Sequence, residues 1–139
     1  GSLLERLNAA PGYLTALASG LGDHYDIKMV AHVSLAKLCV AAGPAVLAAL
    51  DGIVEPMGKT LTAKLKSDAV KQEIDRNEDL LRSCLRAVAA VDKLVRGAAA
   101  ESEAFAKFME TKVMSDKIKP KYAAIKAEAK AAGGSAAAH

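Results

Sequence analysis

Apolar positions in this chain recur mostly at helical spacing. In "GDHYDIKMVAHVSLAKLCVAAG", Ile27, Val30, Ala31, Leu35, Leu38 and Ala42 fall on one face, and Met29, Val33, Ala36 and Val40 on another. A helix apolar on two sides is expected to lie between two neighbours. Asp23 is suited to cap its start, with Asp26 as the acidic partner of a capping box, and Gly43 stops it. The next segment, "PAVLAALDGIVEPMG", opens on Pro44 and carries Val46, Leu47, Leu50, Ile53, Val54 and Met57 in one stripe. Pro56 and Gly58 predict that it ends or kinks there. A long helix follows in "VKQEIDRNEDLLRSCLRAVAAVDKLVRG", with Ile74, Leu81, Cys84, Leu85, Val88, Val91 and Val95 as its buried stripe. Running from about Val70 to Arg96, it would be roughly 40 Å long at ~1.5 Å per residue. Glu78 and Arg82 make a favourable i,i+4 pair on its wet side.

The ends are weaker. Leu3, Leu4 and Leu7, then Tyr13, Leu14, Leu17 and Leu21, suggest an opening helix interrupted at "NAAPG" and punctuated by Gly20 and Gly22. Phe105, Phe108, Met109 and Val113 suggest another, and a short one from Pro120 would use Tyr122, Ile125 and Ala129. Residues 1–132 read as one domain and 133–139, "GGSAAAH", as a disordered tail.

One stretch breaks the pattern. In "KTLTAKLK", Leu61, Ala63 and Leu65 alternate with Thr60, Thr62, Lys64 and Lys66, and Ser67–Asp68 is acceptable turn chemistry. Two readings stand side by side: an extended linker whose leucines tuck onto the core, or a projecting β-hairpin that offers lysines and strand edges to a partner.

The layout is helix–turn–helix twice, its second helices starting near residues 27 and 71. That spacing is close to the roughly 40 to 47 residues of HEAT-type repeats. The expected fold is all-α: a HEAT-like α-solenoid of stacked helix pairs with a short β-hairpin or extended insertion. Two units are fewer than such arrays usually need, and "GSLLERL" turns apolar almost at once with no initiating methionine, so a piece of something longer is expected.

Composition sharpens this. Apolar residues make up 52% of the chain but aromatic ones only 4%, which suits close Ala/Leu/Val helix packing better than a β-sandwich. A net charge of +3 is too weak to imply a nucleic-acid partner. No apolar run reaches the roughly 18 to 20 residues of a membrane span. Cys39 and Cys84 sit inside apolar patterns, far apart and outside any CxxC grouping, and read as small buried thiols in a reducing compartment.

Candidate chemistry is sparse. "DHYDIK" places His24 between Asp23 and Asp26, which invites an acid–base reading, yet helix capping accounts for both carboxylates. His32 follows Lys28 by four residues on what reads as a surface stripe, with no companion at metal spacing. Glu73, Asp75, Glu78 and Asp79 are interleaved with Lys71, Arg76 and Arg82, as on a solvated face. No P-loop, GxGxxG, GxSxG or HExxH occurs. The expectation is a protein without catalytic, cofactor-binding or metal residues.

Three strings go further. "GLGDHYDIKM", "AVLAALDGIVEP" and above all "SDAVKQEIDRNEDLLRSCLRAV" resemble the carboxy-terminal HEAT-like domain of the cullin-associated, neddylation-dissociated proteins, also called the TATA-binding-protein-interacting type. The likeness runs from about Leu3 to Val91, and "RNEDLLRS" is closer to the plant and green-algal form. The resemblance implies a cofactor-free scaffold of cytoplasm and nucleus. It would bind the amino-terminal domain of an unneddylated cullin, compete with the substrate-receptor adaptor and so promote receptor exchange in cullin–RING ubiquitin ligases. It maps that family's projecting hairpin to about Lys59–Glu73 here, with Lys59, Leu61, Lys64, Leu65, Lys66 and Lys71 as partner-binding residues. A membrane is not implied. The family's other name leaves a transcription-factor or nucleic-acid association as the alternative.

Overall fold

Helical stripes bury themselves by lying against one another, and here they do so in two rows. A computed structural model of the chain describes residues 14–137. Helix α1 covers 14–21 of these, followed by α2 (Tyr25–Ala41), α3 (Gly43–Ala48), α4 (Leu50–Thr62), α5 (Lys71–Gly97), α6 (Glu103–Phe108), a π turn (Met109–Val113) and α7 (Lys119–Ala137). Helices α2, α5 and α7 stand side by side with α5 in the middle; α4 and α6 form a second row, and α4 also packs on α5. The chain crosses between rows with each pair, α4 to α5 and then α6 to α7, as in an α-solenoid. Leu3, Leu4, Leu7 and Tyr13 lie outside the described residues.

The core runs through both rows. Leu21, Leu35, Val46, Ile53, Met57, Leu85, Val88, Val91 and Val113 are almost wholly buried. The long helix matches its expected limits to within one residue at each end, although Ile74 of its expected buried stripe is 45% exposed. It closes on a paired turn in which Ala99 N–H donates to the Arg96 carbonyl and Ala100 N–H to the Val95 carbonyl. That geometry puts Ala99 at φ 50°, a left-handed site usually given to glycine. Gly97 comes two residues too early to fill it.

Several sequence expectations are corrected. No β-strand occurs among the described residues, so the hairpin is absent: residues 59–62 finish α4, 63–70 form a linker and 71–73 begin α5. Pro56 sits inside α4, which continues to Thr62. A proline removes one backbone donor, and packing on both α5 and α6 compensates for that single loss. The break falls earlier, at Ala49, which separates α3 from α4. At α2, His24 occupies the N-cap position and makes no side-chain cap; Asp23 instead accepts the His24 N–H at 2.7 Å, and no capping box forms. The outer face of α2 lacks its expected neighbour: Val30, Val33 and Val40 are exposed.

Two further features escaped the sequence. Ser102 caps α6, its hydroxyl accepting the Phe105 N–H at 3.1 Å. Helix α7 extends to Ala137, and Glu78 reaches across to Lys121 on it at 2.6 Å, leaving Arg82 without the expected partner.

Candidate functional site

The linker between α4 and α5 holds three of the six residues singled out for binding, Lys64, Leu65 and Lys66, with Lys59 and Leu61 before it and Lys71 just after it. Its approach is helical: Thr62 donates its hydroxyl to the Gly58 carbonyl at 2.9 Å, a local bond that keeps the last turn of α4 closed. Consecutive Thr60 and Leu61 therefore both face inward, the opposite of alternation. Leu61 is only 3% exposed and belongs to the core, so it is not free to meet a partner. Lys59 is exposed and pairs with Glu55 one turn back at 3.8 Å.

From Ala63 onward the backbone leaves the surface pattern of a helix. A turn at Ser67–Asp68 closes with the Ala69 N–H on the Lys66 carbonyl at 3.0 Å, and Val70 starts α5. Lys64, Lys66 and Lys71 are exposed and have no ion pair among the described residues. Leu65 is 42% exposed, and Val70 and Ile74 are exposed as well. Three unpaired ammonium groups and three exposed apolar side chains thus occur along a short linker and the helix turn it feeds. Val70 and Ile74 were not singled out from sequence, though their place next to the lysines was a usable signal. This combination suits recognition of an acidic surface with shallow apolar pockets.

The remaining candidates are structural. His24 is fully in solvent and 3.9 Å from Asp23, without a third member to orient it. Its neighbour Tyr25 receives the Arg76 guanidinium over its ring at 5.8 Å, joining the start of α2 to the first turns of α5. Thus "DHYDIKM" and "RNED" meet in space. His32, expected on the surface, is buried at 1% exposure, with neither ring nitrogen hydrogen-bonded. Ala31 and Leu35 beside it on α2 set the inward direction. Burial first, and then the Lys28 charge, lowers its pKa to about 4, so it is neutral at pH 7. Both thiols are buried and free as expected. Burial pushes Cys39 up to about 11 and Cys84 to about 12, the latter opposed by nearby Lys28, so neither is a nucleophile at neutral pH. Among the described residues no three His, Cys, Asp or Glu side chains are grouped to hold a metal ion, and no helix is long and apolar enough to cross a membrane.

Two rows of paired helices define a helical-repeat protein of the HEAT-like solenoid class. The family described as "TATA-binding protein interacting (TIP20)" matches residues 2–112, most of the chain, and the chain belongs to it. It is 50% identical over 93 residues to "Cullin-associated NEDD8-dissociated protein 1" of Arabidopsis thaliana, covering 67% of this chain and 8% of that protein. It is 44% identical over 79 residues to "Cullin-associated NEDD8-dissociated protein 2" of Mus musculus (57% and 6%), and 37% identical over 92 residues to the type 1 protein of Dictyostelium discoideum (66% and 7%). The chain spans less than a tenth of the length of these curated relatives.

Proposed function

We propose that this chain is a non-enzymatic scaffold segment that binds a cullin and regulates assembly of cullin–RING ligases. The observation that carries the reading is the linker: Lys64, Lys66 and Lys71, unpaired, around exposed Leu65. The names of the relatives supply the partner. The contact falls on the amino-terminal domain of the unneddylated cullin, and the bound linker competes with the adaptor there. It does so as an irregular loop with a helix turn behind it, in place of a hairpin. Overlapping ligands shift occupancy only by their difference in affinity, so exchange requires each to weaken the other.

Biolayer interferometry with a cullin amino-terminal domain tests this. The triple variant K64E/K66E/K71E is expected to bind at least about ten-fold more weakly, with a loss that shrinks as salt rises. Leu65→Ala should weaken binding further without changing the salt dependence. Equal binding by variant and parent removes the linker from the contact. The family's description supports a second reading, association with the TATA-binding protein. Retention of that protein or of duplex DNA, with no cullin binding, would select it.

A further inference from the structure

Serine and threonine hydroxyls in this chain are mostly engaged or enclosed. Thr62, Thr111 and Ser115 donate to the carbonyls of Gly58, Lys107 and Lys112, and Ser102 accepts the Phe105 N–H. Thr60 and Ser83 are buried, and Thr15, Ser19 and Ser34 lie within helices. Ser67 is different. Among the described residues it is the one exposed serine or threonine outside a helix, and its hydroxyl makes no hydrogen bond there. It is the second residue of the turn closed by the Ala69 N–H on the Lys66 carbonyl, and residues 63–66 lead into that turn without regular secondary structure.

A protein kinase takes its substrate as an extended segment and transfers phosphate to a hydroxyl presented on it, so helical and bonded hydroxyls are poor acceptors. The residues around Ser67 narrow the class of enzyme. Lys64 and Lys66 stand three and one positions before it, complementary to an acidic substrate groove. Asp68 follows where a proline-directed kinase needs proline, and Val70 stands where an acid-directed one needs a carboxylate. The same surroundings give the phosphate something to act on. Lys64, Lys66 and Lys71 have no ion pair among the described residues. At no more than ~3.6 Å per residue, their Cα atoms lie within about 14 Å of that of Ser67. Lysine side chains are long enough to bring ammonium and phosphate inside the ~8 Å screening length.

We propose that Ser67 is a phosphorylation site for a base-directed serine/threonine kinase, and that its phosphate switches off the basic linker. In the transfer the Ser67 Oγ bonds to the γ-phosphorus of Mg·ATP, the bond from that phosphorus to the bridging oxygen breaks, and ADP leaves. The hydroxyl proton passes to the catalytic aspartate of the kinase. Lys64, Lys66 and Lys71 against Asp68 leave the segment at +2. Phosphoserine carries about −1.5 to −2 at pH 7, which brings the segment near neutral. The switch rests on the cullin-binding reading of the linker; the modification site does not.

Incubation of the full chain with the catalytic domain of protein kinase C and Mg·ATP tests the site, with mass spectrometry as readout. The expected product carries one phosphate on Ser67. Ser67→Ala, an exposed change that leaves the fold intact, should lose most of the incorporation, and K64A/K66A should lower kcat/KM about ten-fold or more. A parent chain left unlabelled, equal labelling of Ser67→Ala, or labelling indifferent to Lys64 and Lys66 overturns the site. Biolayer interferometry with a cullin amino-terminal domain then tests the switch: the phosphorylated chain should bind about ten-fold more weakly than the parent. Binding unchanged by phosphate but lost in K64E/K66E/K71E overturns the switch and leaves the linker contact standing. Binding indifferent to both removes the linker contact and the switch together, while the labelling result stands on its own.

Discussion

Helix α5 is flanked by α2 on one side and α7 on the other, and the two contacts are made of different things. Toward α2, the buried groups of that helix are Ala31, Leu35 and Cys39 together with the His32 imidazole, and α5 buries Leu81, Cys84, Leu85 and Val88. Toward α7, a narrower apolar seam of Ile118, Tyr122 and Ile125 is bordered by ion pairs, Lys121–Glu78 at 2.6 Å and Arg86–Glu128 at 3.8 Å. Even the seam is partly polar, since buried Tyr122 lies close to the Asp92 carboxylate without closing a well-formed hydrogen bond to it. Burial, and then that carboxylate, pushes the phenol up to about 12. The α2 contact lies inside the family-matched residues 2–112; α7 lies outside them. One side of α5 is therefore a burial-driven joint within the family match, and the other lies beyond that match and is bordered by charge.

The largest expected effect tests the first joint. Leu35→Ala leaves a cavity at a fully buried site and should cost about 2–5 kcal/mol in urea unfolding, enough to threaten the fold. A loss under about 1 kcal/mol would mean that the joint collapses around the gap and is not tightly packed.

Next in size is a pH effect on the same side. His32 has a pKa near 4 in the fold and an ordinary value of 6.5 when unfolded. Below pH 6.5 only the unfolded chain takes up the proton, so stability falls as pH drops and the loss is complete near pH 4. The difference amounts to about 3 kcal/mol. Denaturation at several pH values should show this slope in the parent and a flatter one in His32→Leu. Equal slopes would place the titration elsewhere.

The smallest effect belongs to the α7 side. Lys121 and Glu78 are both partly exposed, so Lys121→Met should cost less than about 1 kcal/mol, and added salt should reduce the difference. A larger, salt-independent loss would make α7 as burial-driven as α2 and erase the contrast.

What could be read in the sequence follows the same division. The stripe of α5 extends over about six turns, so its period is unambiguous and its limits are legible to one residue. "KTLTAKLK" is too short for that. Its first half finishes α4, and eight residues of alternation cannot tell a strand from a helix edge followed by a linker. Thr60 and Leu61 both turning inward is the local fact that settles it. His32 faces inward because Ala31 and Leu35 beside it set the core direction, which its spacing from Lys28 does not reveal. Of the residues expected to bind a partner, Lys64, Leu65, Lys66 and Lys71 are exposed, Lys59 is paired with Glu55, and Leu61 is buried in the core. The cross-helix partner of Glu78 had no signature, since it depends on where α7 docks.

The π turn at Met109–Val113 begins a few residues before the family match ends at 112 and reaches just past it. Such a turn holds one more residue than an α turn, which rotates the end of that helix by about 100° and advances it by about 1.5 Å. The turn packs on α4, and the bends at 114–118 separate it from α7. The additional residue therefore sets how this helix end seats against α4, while the heading of the last helix is fixed after it.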